Sequence, residues 1–454
     1  MSVTHKTLRY YYWIALEFTK KNLRLIMLSF FLSIVAIIGF ISFSPYVVGF
    51  MTTEKKVIGV VGTFDVSELP ESIQQQVSSG LIYVNNKGEI VPLLANTWEQ
   101  SKDGKQYRFY LKRNLFWNDG QPFTTKDIVF KFKDIKVTKI DDYVIQFNLD
   151  RPLPIFPTYL VQPIIRYPLI GVAGLYKVDR LKQQYGNVTE IDLSPNKADL
   201  PFLIYKMYDS ESKMINAYKL GEISEMEIQR KGVADMFLNW KNTAVTKTVD
   251  YTRVLTLFFN MDNEFLKQRD VRRAIAESIS KGVLLEQGEE AVTSIPPTSW
   301  AHNPNVREIQ NDLEAAQKVL KKSDEATGSA TLQLKTYYEY LDTAEKVKDD
   351  IQRSGLKVSL SSISFSEPTS FDMLLAFWKV PLDPDQYYFW HSTQKEGNIA
   401  HYDNKKIDLL LEQGRNTMSL EDRKKIYYDF QKTLHDDMPA FFIYYPYVYK
   451  ISRK

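Results

Sequence analysis

The residues able to do chemistry in this sequence are few and scattered. Five histidines occur, His5, His302, His391, His401 and His435, and no pair has metal-ligand spacing with supporting carboxylates. His391 and His401 stand in a stretch without clear periodicity and read as surface or structural imidazoles. Cysteine is absent, which excludes disulfides, thiol nucleophiles, cysteine-type zinc sites and a lipid carried on an N-terminal cysteine. Asp383 and Asp385 flank Pro384, and two nearby carboxylates can work as general acid and base. The same three residues also read as an Asp-Pro turn with solvated carboxylates. Neither a nucleophile elbow nor a phosphate loop nor a dinucleotide fingerprint is present. Nothing asks for an enzyme, and no cofactor or metal is expected.

The elements that must position such residues follow from periodicity. A chain of 454 residues exceeds what one hydrophobic core usually supports, so more than one structural unit is expected. Tyr107–Leu111 and Tyr143–Phe147 alternate as strands between Asp, Gly and Asn turn signals. Helical periodicity covers Val271–Leu285, Leu313–Leu320, Ala344–Gln352, Lys406–Arg415 and Leu420–His435. Ser419 is placed to cap the last of these, with Glu421 and Asp422 in its first turn. Gly355 is placed to end the helix before it. Strand, helix and strand alternate from 331 to 378, the pattern of an α/β unit. The one flexible-looking patch is Ser/Gly-rich, around Ala326–Ala330.

Charge and hydropathy patterning say where the chain resides. The net charge is +3, with acidic and basic residues interspersed, and this argues against nucleic acid as a partner. Between Arg24 and Glu54 no residue is charged, and Leu25–Phe43 is long enough to cross a bilayer as a helix. Lys6, Arg9, Lys20, Lys21 and Arg24 precede the run, and only Lys55 and Lys56 closely follow it. The excess of positive charge assigns residues 1–24 to the cytoplasm and everything beyond about residue 50 to the outside. No small-residue cleavage site follows, and Pro45 disfavours one, so 25–48 reads as an uncleaved signal anchor.

Several motifs then fall in one order. Pro92, Leu94, Ala95 and Trp98 are followed by the Asp103-Gly104 turn, the strand residues Phe109, Leu111 and Arg113, and then Asp119-Gly120, Pro122-Phe123-Thr124 and Asp127-Ile128. Gly171–Val178, Gly221-Glu222-Ile223, Phe258-Phe259-Asn260 and Asp270–Ala274 come next, then Pro304–Leu320. Phe371-Asp372, Trp378, Asp383-Pro384, Asn398, Asp408, Arg423 and Pro439 complete the series. Over residues 56–450 the sequence resembles the extracellular solute-binding proteins, family 5, which bind oligopeptides, dipeptides, nickel chelates and some sugars. In two places it departs from them. The helical stretch usual after Asp127–Phe130 is missing. The aspartate that in peptide-binding members stands between the tryptophan and the Asp-Pro, where it meets the ligand's amino group, has no counterpart between Trp378 and Asp383.

The resemblance implies a two-lobed α/β clamp of the periplasmic-binding-protein type II, with the membrane helix in front. It sets lobe I at 56–255 with a reduced subdomain at about 96–165, lobe II at 256–440, and a return strand to lobe I at 441–454. It implies hinge strands at Val254–Asn260 and Phe441–Tyr445 and a ligand cleft between Ala376–Tyr388 and Gly80–Tyr83. Trp378, Asp383, Asp385, Tyr387, Leu81 and Tyr83 are the expected ligand-binding residues, with core packing an equal expectation for Trp378 and Tyr387. The implied function is capture of peptides or similar small solutes for an ABC importer. The implied partners are the ligand, the permease subunits and, through the N-terminal helix, the bilayer. An orphan receptor or chaperone-like protein uncoupled from import is the alternative.

Overall fold

A computed structural model describes residues 8–454 apart from 53, 86, 131, 133, 328–330 and 364–369. The chain divides into two compact units, Met1–Lys55 with Ala198–Phe202, and Lys56–Lys197 with Leu203–Lys454. The first contains two helices, Leu8–Lys21 and Leu23–Thr52. Tyr10–Lys21 and Leu23–Gly39 meet at a bend of 77°, and among the described residues no single helix is long and apolar enough to cross a membrane.

The second unit is built on a twelve-stranded mixed sheet. One half runs in the order Val358–Ile363, Leu332–Tyr337, Met373–Lys379, Arg253–Phe259 and then the long strand Ala440–Arg453. Leu332–Tyr337 and Val358–Ile363 pair in parallel, joined by the helix Leu341–Arg353, as the alternation from 331 to 378 predicts. Arg253–Phe259 and Met373–Lys379 are buried almost end to end. Runs such as Val254-Leu255-Thr256-Leu257-Phe258-Phe259 suit strands covered on both faces.

The other half continues from the same long strand through Glu225–Ile228, Lys55–Val61, Phe202–Tyr208, Asn187–Pro195 and Tyr176–Gln184. Ala440–Arg453 thus serves both halves. Its first residues pair with Leu255–Phe258, and its last with Thr243–Val249 and Glu225–Ile228. Beside it, the chain passes between the halves at Asp250–Thr252, between the strands Thr243–Val249 and Arg253–Phe259. The expected boundary at 255/256 falls inside a strand, and 441–454 belongs to both halves rather than to lobe I alone.

A separate four-stranded sheet occupies the region expected as a reduced subdomain. Its order is Ala95–Gln100, Gln106–Leu111, Val144–Leu149 and Ile135–Asp141. Gly104, at φ +68°, makes the turn between the first two strands, and the Ser101 hydroxyl donates to Asp103 Oδ1 across it. After Thr124, among the described residues, the chain makes only the short 3-10 turn Thr125–Asp127 before the next strand. Phe109, Phe147 and Phe156 fill the core beneath this sheet.

Most expected helices appear near their predicted limits. The Ser419 hydroxyl accepts from the Asp422 amide at 3.3 Å, and Gly355 follows the helix Leu341–Arg353 at φ +102°. The expected helix Val271–Leu285 is instead two, Arg269–Ser278 and Lys281–Leu284. The break has a tertiary cause: Asp350 Oδ2 accepts from the Ser280 amide at 2.9 Å, so a carboxylate distant in sequence takes the place of the next helical turn. The Ala326–Ala330 patch lies partly outside the described residues.

Candidate functional site

The loop after the central strand Met373–Lys379 carries both predicted carboxylates, and each is matched to an arginine. Asp383 Oδ1 accepts from Arg423 at 2.6 Å and from the Asp385 amide at 2.9 Å. Burial raises the Asp383 carboxyl above its ordinary range while the Arg423 guanidinium works against it. Asp385 Oδ1 accepts from the Tyr387 amide at 3.1 Å, and Oδ2 accepts from Arg415 Nε at 2.8 Å. The Arg415 guanidinium lies 4.0 Å from the centre of the Tyr387 ring, an arrangement in which the ring face offsets positive charge. Tyr387 in turn stacks on His391 with ring centres 4.1 Å apart. These carboxylates are structural partners of arginines, not a free acid–base pair.

Asp385 also meets the part of the chain beside the four-stranded sheet. Tyr159, on the 3-10 helix Phe156–Val161 beside the four-stranded sheet, donates its hydroxyl to Asp385 Oδ2 at 3.0 Å. Arg415 Nη2 donates to the Tyr159 hydroxyl at 3.4 Å. Enclosure of the phenol end, then the adjacent Asp385 charge, push the Tyr159 hydroxyl well above the usual phenol range. The ring edge stays open, with 38% of the residue exposed. Two further contacts join the same sides. Gly88, at φ +78°, turns the tip of the hairpin Ile82–Val84 and Ile90–Pro92 against the Trp300 indole. Glu71 and Lys379 approach to 3.6 Å, both well exposed.

The other expected ligand-binding residues divide. Trp378 is only 7% exposed and packs edge-on against Phe389 at 5.1 Å, with Trp390 and Phe442 beyond. Its ring is therefore core, yet its Nε1 meets no acceptor among the described residues. Ser294 Oγ, fully buried, shares that condition, and the Ser294 carbonyl accepts from Gln386 at 3.1 Å. Leu81 has no exposed surface and belongs to the core under the four-stranded sheet, so its side chain is not available to a ligand. Tyr83, on the strand Ile82–Val84 that follows, is exposed. A cavity of about 220 Å³ lies elsewhere, lined by residues including Glu290, Thr293, His302, Asn303 and Tyr445.

Tyr159 and Arg415 are absent from the sequence-level expectation. Arg415 and Arg423 lie on two later helices, and nothing in their spacing ties them to the Asp-Pro-Asp run. Nothing in the sequence marks Tyr159.

The family model described as bacterial extracellular solute-binding proteins, family 5 Middle, matches residues 89–399, more than half of the chain. The chain belongs to this family. Among its family 5 relatives, the dipeptide-binding protein of Escherichia coli strain K12 is 21% identical over 457 residues, covering 81% of this chain and 83% of that protein. The oligopeptide-binding protein AppA of Bacillus subtilis strain 168 is 24% identical over 456 residues, covering 84% and 83%. Solved structures share the mixed α/β fold. A putative peptide binding protein AppA from Clostridium difficile superposes with a TM-score of 0.74 at 20% identity, over 88% of this chain and 95% of that one. NikZ from Campylobacter jejuni, in complex with Ni(L-His), gives a TM-score of 0.71 at 24% identity, over 88% and 94%. This family 5 chain is thus a solute-binding protein.

Proposed function

We propose that this protein is the extracytoplasmic substrate-binding component of an ABC importer, capturing peptides or similar small solutes between its two half-sheets acting as lobes. The observation that carries the reading is the pair of side-by-side crossings, Asp250–Thr252 and the middle of Ala440–Arg453, with side-chain contacts between the halves well away from them in sequence. Two extended crossings form a hinge, and a ligand shifts such a clamp by binding its closed state better. Peptides suit the cleft because main-chain hydrogen bonding holds varied sequences. Dipeptide- and oligopeptide-binding relatives support that solute class.

Trp378 Nε1 and Ser294 Oγ are buried polar groups in want of a partner, and such groups cost stability until a hydrogen bond is made. They are suited to the carbonyls of a bound solute. Asp383 and Asp385 are already neutralised by Arg423 and Arg415 and do not anchor a ligand ammonium. Tyr387 and Tyr83 remain proposed lining residues.

The charge-free run from Leu25 anchors the protein in the membrane, with residues 1–24 inside and the binding unit outside. Mass spectrometry of solutes co-purifying with the full chain, followed by calorimetry, tests the assignment. A peptide that binds should raise the melting temperature with concentration, stabilising the fold by about 2.7 kcal/mol at a hundredfold excess over Kd. Failure of mixed peptides to bind or stabilise would count against it.

A further inference from the structure

We propose that Tyr159 is the positioning residue for lobe closure, a latch that closes the clamp through the Asp385–Arg415 pair without contribution from a ligand charge. The inference rests on the two-lobe reading above and adds to it the group that holds the lobes together. Tyr159 and Asp385 are 226 residues apart in sequence and meet from opposite halves. Each is held on its own side before they meet. Phe156 and Leu160 are fully buried in the core beneath the four-stranded sheet, and the Leu160 carbonyl accepts from the Leu81 amide at 3.1 Å. Tyr159, between them, is thereby turned outward. Asp385 is fixed by the Tyr387 amide on one oxygen and by Arg415 on the other, and its side chain is 5% exposed.

Two other contacts across the cleft among the described residues are weaker by nature. Glu71 and Lys379 form an exposed pair, which typically contributes little, and Gly88 offers only a backbone surface to Trp300. The phenol–carboxylate bond is charge-assisted, and this makes it the strong one. Arg415 Nη2 reaching the same hydroxyl fixes the phenol in line with the carboxylate. The latch uses the negative charge that could otherwise serve a ligand ammonium, so closure and capture are separable.

The chain has no cysteine, so two introduced thiols are the only ones to label. Lys136→Cys and Lys346→Cys, both exposed, place spin labels on opposite sides of the cleft in the full chain held in detergent. The parent should show a dominant short distance without added solute. Tyr159→Phe, which keeps the ring and loses one hydrogen bond to a charged group, should cut the closed-to-open ratio roughly tenfold with an unchanged melting temperature. Tyr159→Leu should do the same. An identical distance distribution in Tyr159→Phe and parent overturns the latch, as does a parent that is already open. The arm with tri-alanine and mixed peptides separates the two readings. If neither binds the parent but Tyr159→Phe still opens it, the latch stands and the peptide assignment fails. If peptide binds and Tyr159→Phe changes nothing, the reverse holds.

Discussion

Trp378 shows how one residue can be both core and candidate contact. Its ring is wedged among Phe389, Trp390 and Phe442, so Trp378→Ala should cost about 3–5 kcal/mol in chemical denaturation whether or not solute is present. Trp378→Phe keeps most of that packing and deletes the unpaired Nε1. It should leave the denaturation midpoint nearly unchanged and weaken peptide binding several-fold. Unaltered affinity would assign the tryptophan to packing alone. The aspartates give a second expectation at this scale. Because both are matched to arginines, N-acetylated peptides should bind about as well as free ones in calorimetry, and a strong preference for the free amine would contradict this. Arg423→Leu should be destabilising by about 3–5 kcal/mol, since it strands a buried carboxylate. The Asp-Pro-Asp run was legible as a turn with carboxylates. Its arginine partners were not, because they come from helices that only tertiary packing brings near.

At the scale of elements, the motif Gly171–Val178 has a steric meaning. A Cβ at Gly171 or Gly174 would run into the Val77 carbonyl at the end of the helix Glu71–Val77. That atom is backbone and cannot swing aside, so Gly174→Ala should lower stability by about 1–3 kcal/mol, read as an earlier denaturation midpoint with native spectra before it. Helix limits and strand alternation were legible because they depend on neighbours in sequence. The break at Ile279-Ser280 was not, because its cause is Asp350, on a different helix.

The helix Leu420–Asp437 supplies a pH dependence. Burial holds His435 below its ordinary 6.5, and a hydrogen bond from its Nδ1 to the Val292 carbonyl at 3.3 Å offsets this only in part. The unfolded chain therefore takes up the proton first on acidification. The stability His435 contributes is present above about pH 6.5 and is lost as pH falls through that value toward the lower folded one. The melting temperature should drop between pH 7.5 and 5.5, and His435→Gln should flatten that segment of the curve.

For the whole molecule, topology in the cell is the open measurement. An external protease on intact cells should digest the part beyond about residue 50, and the untreated protein should sediment with membranes at full length. A freely soluble mature form beginning near Pro45 would refute the anchor. Motif order made the family and its two-part sheet readable across nearly the whole length, since turn glycines, Asp-Gly pairs and aromatic strands are local signals. The crossing point and the double membership of the strand Ala440–Arg453 were not readable, because pairing partners are set by the finished sheet.

That shared strand has a consequence for how the molecule assembles. The strands Glu225–Ile228 and Arg253–Phe259 both wait for residues 440–453 before their edges are covered. A nascent chain lacking them presents the open edges of Glu225–Ile228 and Arg253–Phe259, each a template for wrong pairing. Neither half can finish early while the other lags, so the two should mature in one cooperative event late in synthesis. Contacts spanning so much of the sequence also make that event slow. Until that event those edges stay open to wrong pairing with other chains.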